Sequence, residues 1–149
     1  MIKKIVLLIA FASLLFSNNF ELNSNINSFT LANQFEKIHT INSEIETIIV
    51  SFEKGTGADV NEFLNNKDPD FLQKNKAVFI ANISGMPSFI TKMFALPKMK
   101  KYKHSILLIY DENDKRFLQK EGKSTVYKLE NGLIKNIYYI DKNDLENIF

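Results

Sequence analysis

The sequence predicts one α/β domain, in which a mixed sheet with parallel central strands is flanked by helices and followed by a C-terminal antiparallel hairpin and a last helix. Two apolar runs, over residues 45–52 and 77–83, are separated by a helical pattern. A strand, a helix and a second strand in this order form a right-handed crossover that makes the strands parallel neighbours. Residues 124–130 and 133–140 then alternate around Asn131-Gly132, the pair best suited to a two-residue hairpin turn.

Residues 1–17 have the pattern of a cleavable export signal. Lys3 and Lys4 precede an apolar run from Ile5 to Phe16. That run is too short to cross a membrane, because a helix needs about 20 residues to span the hydrocarbon core, but it matches the apolar region of a signal peptide. We therefore expect a bacterial protein exported to the periplasm, with a leader over residues 18–28. A retained N-terminal anchor is the less favoured alternative.

Composition excludes several classes of function. The chain carries 19 basic and 17 acidic residues, and without Lys3 and Lys4 the two signs balance, so the charge does not indicate a nucleic-acid partner. It contains no cysteine, which excludes disulfides, a lipoprotein anchor, thiolate metal sites and a thiol nucleophile within this sequence. Residues 29–149 are long enough for a single domain with one core, which 13 Phe and 5 Tyr can help to fill.

The first elements of that domain are short. Phe29–Leu31 and Lys37–Ile41 alternate around a polar turn and predict a small hairpin. Gly55-Thr56-Gly57 follows the first apolar strand and is interpreted as a tight turn. Asp59 and Glu62 have the spacing of a capping box, so we expect the next helix to begin there.

Two helix starts follow in the middle of the chain. Asp68-Pro69 is typical of the first, and Ser84–Pro87 opens the second, with Ser84 as its cap. Apolar side chains of the second helix recur at three- and four-residue spacing and are expected to face the core. They are Phe89, Ile90, Met93 and Phe94. Pro97 is expected to break or bend this helix.

The remaining elements close the domain. Residues 105–110 are apolar and predict a third strand beside the second. Asp141 is placed to cap a terminal helix, in which Leu145, Ile148 and Phe149 share one face.

This order of elements resembles the thioredoxin-like fold. The stretch from Ser124 to Ile134, followed by Asp141 to Phe149, is similar to the end of thioredoxin-family chains. Residues 29–37 look like the start of peroxiredoxin-type and exported thiol-disulfide oxidoreductase domains. Residues 105–110 do not fit the plain thioredoxin order, which leaves an inserted strand or a shifted register as explanations.

The resemblance implies a redox site without its reactive groups. The family's Cys-x-x-Cys would fall at the helix N-terminus, where the helix dipole lowers the pKa of a thiol. Those positions hold Gly57, Ala58, Asp59 and Val60. The family's cis-proline would correspond to Ser124. The resemblance therefore implies a fold that has kept its shape and lost its thiol chemistry.

Other candidate sites carry weaker signals. Gly55-Thr56-Gly57 could hold a phosphate, but the third glycine of a dinucleotide motif is Val60. A dense basic run could bind an anionic headgroup or an acidic partner, with a solvated helix face as the alternative. The run consists of Lys98, Lys100, Lys101, Lys103 and His104. Met86, Met93 and Met99 could suggest a copper site near His104, but core packing is favoured, so we predict no metal site.

We therefore expect an exported, redox-inactive binding or scaffolding protein with a protein partner in the cell envelope and no cofactor. Two alternatives stay open. One is an oxidoreductase in which a flavin or another bound cofactor supplies the chemistry, and the other is a protein that associates with a membrane surface through the basic run.

Overall fold

The computed structural model describes residues 19–149, so the predicted export signal lies outside the described residues. Five strands form one mixed sheet. They are β3 (Thr47–Ser51), β4 (Ala77–Asn82), β5 (Leu107–Ile109), β6 (Ser124–Glu130) and β7 (Leu133–Ile140), and their order across the sheet is β5-β4-β3-β6-β7. The first three are parallel, and β6 and β7 run antiparallel to their neighbours. The predicted α/β fold class is confirmed, and the strand predicted over residues 105–110 extends the parallel part of the sheet.

Helices cover one face of this sheet. They are α1 (Lys54–Asn65), α2 (Phe71–Lys74), a longer helix over residues 88–99 and a 3₁₀ helix (Lys142–Asn147). Between these helices and the sheet lies a hydrophobic cluster, called the first core below. In it, Val60 and Leu64 of α1 pack with Ile49, Phe79 and Val126 of the sheet. In the part of the chain that is described, no helix combines the length and the hydropathy needed to span a bilayer.

The opposite sheet face is covered by the N-terminal hairpin of β1 (Phe29–Ala32) and β2 (Ile38–Ile41). The hairpin itself is predicted from the sequence, and its position on the sheet is not. Residues 19–28, expected to form a leader, also pack here. Phe20 and Ile26 are buried in the hydrophobic cluster on this face, called the second core below. The Phe20 amide donates to the Arg116 carbonyl at 2.7 Å. These residues therefore belong to the packed body of the protein.

Helix α1 begins six residues earlier than the sequence predicts, because its N-cap is Glu53 and not Asp59. Its first residue is Lys54, with Glu53 in an extended conformation at the N-cap. The Gly57 amide donates to the Glu53 carbonyl at 2.9 Å, which is the hydrogen bond of a first helical turn. Gly55-Thr56-Gly57 is therefore helical and not a tight turn, and Asp59 lies inside the helix and does not cap it.

The helix over residues 88–99, called helix 88–99 below, is irregular. It is α-helical over Ser88–Ile90, widens to a π-helical turn over Thr91–Ala95 and returns to α-helix over Leu96–Met99. The Leu96 amide donates to the Thr91 carbonyl five residues back. Pro97 has no amide to donate and crowds the preceding turn, so the widened turn accommodates it and the helix continues past it.

Two predictions for helix 88–99 are wrong. Phe89, Met93 and Phe94 are 60%, 67% and 62% exposed and do not face the core. Ser84 does not cap the helix, because Pro87 occupies the N-cap and the Ser84 hydroxyl instead donates to Asn82 Oδ1 at 2.6 Å.

The C-terminal elements agree with the sequence. Asn131 and Gly132 have φ values of 50° and 81°, the positive angles that a tight hairpin turn between β6 and β7 requires. Asp141 caps the last helix by accepting a hydrogen bond from the Asn143 amide, and Asp144 completes a capping box. This helix is 3₁₀ rather than α.

Candidate functional site

A cleft of about 520 Å³ opens at the carboxyl ends of β3 and β4. Its walls are the first two turns of α1 on one side and helix 88–99 on the other. Ser51 and Phe52 at the end of β3, and Ala81 and Asn82 at the end of β4, form its floor. In open α/β sheets, ligands bind in a crevice outside the carboxyl ends of the parallel strands, so this cleft is the candidate functional site.

The lining of the cleft is predominantly apolar. Its large apolar side chains are Ile83, Met86, Ile90, Phe94, Met99 and Tyr102. Polar groups are few, as in most ligand sites. Asn61, Asn82, Lys54 and Lys98 are the main ones. Such a surface favours an apolar occupant with a small number of directed polar contacts.

The charge at the mouth of the cleft is positive. Glu53 is the one acidic residue in its lining, and its Oε2 accepts a hydrogen bond from the Gly122 amide at 2.8 Å. Within residues 19–149, neither Lys54 nor Lys98 forms an ion pair. Two unpaired ammonium groups therefore stand beside an apolar cavity.

A buried polar network fixes the wall behind the cleft. Asn61 of α1 accepts a hydrogen bond from His104 Nε2 at 2.8 Å. Gln34, from the turn of the N-terminal hairpin, donates to the His104 carbonyl at 2.8 Å and accepts from the Ile106 amide at 2.8 Å. The segment that follows helix 88–99 is thereby tied to α1 and to the hairpin on the other sheet face.

His104 is the one ionisable group of this network. Burial lowers the pKa of its imidazole from 6.5 to about 4, because a charged ring would lose its hydration. With Nε2 donating to Asn61, His104 is neutral near pH 7. Because His104 is 4% exposed, it cannot contact an occupant of the cleft. Its hydrogen bond to Asn61 holds the cleft wall in place.

The residues predicted to replace the redox site do not stay together. Gly57 and Ala58 line the cleft, whereas Val60 is buried in the first core. Asp59 lines a separate small crevice with Ser124. They occupy the fourth to seventh positions of α1, not its N-terminus.

Ser124 lies beneath the cleft floor. Its hydroxyl is hydrogen-bonded to the Ser51 hydroxyl at 2.8 Å, and both residues are buried. No peptide bond in the described part of the chain is cis, so the backbone before Ser124 lacks the cis bond that the resemblance associates with this position. The serine pair joins the last residue of β3 to the first of β6 in a neutral, fully satisfied contact.

The basic run is divided by the structure. Lys98, Lys100, Lys101 and Lys103 are exposed, as a partner surface requires, but His104 is buried and cannot belong to that surface. Lys98 lines the cleft, and with Lys101 it also lines a second groove, to which Asn65 of α1 and Met93 contribute.

Two features of the site were not predicted from the sequence: the buried polar network and the exposed apolar side of helix 88–99. Asn61 and Gln34 gave no local signal, because their partners lie 43 and 70 residues away. The exposure of Phe89, Met93 and Phe94 was hidden by a spacing that equally suits a buried face. For metals, residues 19–149 contain no group of three or more His, Asp or Glu side chains able to hold an ion.

Comparison with known proteins shows the fold. No protein-family model matches the sequence, and no curated protein matches it. Solved structures match over most of the chain. Peroxidoxin BcpB from Mycobacterium tuberculosis has a TM-score of 0.55 and 9% identity, covering 87% of this chain and 93% of its own. A SCO1/SenC family lipoprotein from Bacillus anthracis str. Ames has a TM-score of 0.51 and 11% identity, covering 85% and 93%.

A third solved structure of this kind is a putative thioredoxin from Neisseria meningitidis. It has a TM-score of 0.50 and 11% identity, covering 81% of this chain and 82% of its own. At such low identities, structural similarity shows a shared fold and does not show a shared activity. The domain has a thioredoxin-like fold, in agreement with the resemblance read from its sequence, and its sequence contains no cysteine.

Proposed function

We propose that this thioredoxin-like protein is an exported, redox-inactive binding module that holds an apolar segment of a cell-envelope protein in the cleft between α1 and helix 88–99. The observation that carries the proposal is the cleft itself. It lies at the sheet edge where folds of this kind bind ligands, and its volume of about 520 Å³ falls within the range of true binding sites.

Chemistry in the cleft favours binding over catalysis. Catalysis by a thiol needs a cysteine, and the sequence has none. The ionisable side chains of the lining are Glu53, Lys54, Lys98 and Tyr102, and the carboxylate among them, Glu53, already accepts a hydrogen bond from the Gly122 amide. Recognition through apolar contact is what these residues support.

The shape of the region favours a protein segment as the occupant. Phe94 lines the cleft and is exposed, so the cleft is open to solvent at this wall. An extended peptide could place one side chain in the cleft and continue past Phe94 at its mouth. Asn82 and the two lysines at the rim can bind backbone carbonyls of such a segment.

Site-specific photo-crosslinking tests the proposal in cells. Ala58 is exposed and lines the cleft, so a benzoylphenylalanine placed there faces any occupant. The matched control is Gln73 on α2, which is exposed and outside the cleft. We expect a discrete adduct with an envelope protein from position 58 and none from position 73. Equal adducts from both positions, or none from position 58, would contradict the proposal.

Enzyme assays test the redox-inactive part. The purified protein, free of metal and cofactor, is expected to leave insulin disulfides and hydroperoxides unchanged, and turnover of either would contradict the proposal. A visible flavin absorption band would instead favour the cofactor-dependent oxidoreductase. For export, mass spectrometry of the periplasmic fraction should find a mature chain that begins at Asn18.

A further inference from the structure

Helix 88–99 presents an apolar surface to solvent. Phe89, Met93 and Phe94 are 60%, 67% and 62% exposed. Phe89 and Met93 are four residues apart, so their side chains lie on the same side of the helix. Large apolar side chains grouped in this way mark a surface that binds another protein or a membrane.

The stretch of chain that carries this surface is strongly cationic. No aspartate or glutamate occurs between Phe71 and Tyr110. Five exposed lysines accompany the apolar side chains. They are Lys92, Lys98, Lys100, Lys101 and Lys103. None of the five forms an ion pair with another residue of the described chain, so their charge is available to an external anionic surface.

Charge decides between the occupants of this surface. A second copy of the chain, docked face to face, would bring lysines against lysines with no acidic group from the same stretch to offset them. An anionic lipid bilayer offers what both parts of the surface need. Its headgroup phosphates attract the lysines, and its interface accepts apolar side chains without a shaped pocket.

We infer that helix 88–99 docks on an anionic lipid bilayer, with Phe89, Met93 and Phe94 in the interface and the lysines against lipid phosphates. The inference goes beyond the proposed function, because Phe89 and Met93 do not line the cleft and the occupant is a lipid surface. The π-helical turn at Thr91–Ala95 lies between Phe89 and the lysines at the C-terminal end.

A local tryptophan tests which face meets the lipid. The chain has no tryptophan, so Phe89→Trp reports on this surface alone. Ile38→Trp is the matched control, since Ile38 is 72% exposed and lies in the hairpin on the other sheet face. With phosphatidylglycerol vesicles, we expect the emission of Phe89→Trp to shift to the blue and that of Ile38→Trp to stay unchanged. Phosphatidylcholine vesicles and high salt should abolish the shift.

Several outcomes would overturn the inference. An unchanged Phe89→Trp emission would do so even if the protein sediments with vesicles, because attachment through another part of the chain leaves this reporter in water. A shift that depends on protein concentration and not on lipid would assign the face to a second copy. Equal shifts from both reporters would indicate non-specific adsorption.

Loss-of-binding variants separate the apolar and the ionic contributions. Phe89→Ser with Met93→Ser is expected to weaken partitioning into phosphatidylglycerol vesicles about tenfold or more, since each removes buried apolar area. Lys100→Gln with Lys101→Gln should weaken it and reduce its salt dependence. Ile38→Ser and Lys135→Gln, both at exposed positions, are the controls. Partitioning that is equally strong in all variants would overturn the inference. Crosslinking from position 58 remains an independent measure of the cleft.

Discussion

The two helices that border the cleft differ in what covers their apolar side chains. In α1, Val60 and Leu64 are 1% and 2% exposed, whereas in helix 88–99 Phe89 and Met93 are 60% and 67% exposed. Both pairs have the same four-residue spacing. The difference teaches that helical periodicity indicates an apolar face, and that tertiary packing decides whether this face is a core or a surface.

Packing explains why the two helices differ. α1 lies directly over the sheet and reaches Ile49 and Phe79 in the first core. Helix 88–99 reaches that core mainly through Leu96 and Met99 near its C-terminal end. Most side chains of its N-terminal half are exposed, and the cleft lies between this helix and α1.

Truncation of equivalent side chains should give the largest contrast. Leu64→Ala removes a fully packed side chain and is expected to lower the free energy of unfolding by about 2–5 kcal/mol. Phe89→Ala removes an exposed one and should change it by about 0.5 kcal/mol or less. Urea denaturation of both variants measures the two changes in the free energy of unfolding. Equal losses would mean that helix 88–99 is packed as tightly as α1.

Acid should weaken the contact between His104, which follows helix 88–99, and Asn61 of α1. The folded pKa of about 4 lies below the unfolded value of 6.5, so between these pH values only the unfolded chain binds the proton. The free energy of unfolding should therefore fall by about 2 kcal/mol as the pH drops from 6.5 to 4, a value reduced for solvent screening.

His104→Gln supplies the control for this pH dependence. The variant keeps a polar group beside Asn61 but cannot titrate in this range. Denaturation midpoints measured at several pH values should decline less steeply with acid than those of the unaltered protein. Parallel declines would show that other groups cause the acid effect.

The serine pair under the cleft floor should show a smaller, non-additive effect. Ser124→Ala leaves the buried Ser51 hydroxyl without its partner and is expected to lower the free energy of unfolding by about 1–2 kcal/mol. Ser51→Ala should lower the free energy of unfolding by a similar amount, because it leaves the buried Ser124 hydroxyl without its partner. The double variant should lose less than the sum of the two, because no unpaired hydroxyl remains. Strict additivity would rule out the hydrogen bond.

The smallest expected effect concerns the start of α1. Gly57→Ala should raise the free energy of unfolding by about 0.5 kcal/mol, since alanine favours a helix and its Cβ would lie 3.8 Å from Ser51 Cβ, an ordinary contact. Gly132→Ala is the opposite control, because a φ of 81° strains any side chain. A destabilising Gly57→Ala would support the tight turn that the sequence suggested.

Local patterns predicted most of the sheet and few of the site's contacts. The apolar strands and the Asn131-Gly132 turn depend on neighbours in sequence, so the sequence reveals them. The start of α1 was misplaced because Gly55 and Gly57 are typical of turns, although a helix tolerates them. The cleft was not predicted, because its two walls come from separate parts of the chain.

The contacts of residues 19–28 have a consequence for the order in which the molecule can assemble. Phe20 and Ile26, synthesised early, dock on Phe117 and Ile134, which are made about a hundred residues later. The first core likewise needs Val126 and Leu145. Neither core can close until the residues around 134 to 145 have been synthesised, so the nascent chain stays open until then, and long-range loop closure sets the pace of its folding.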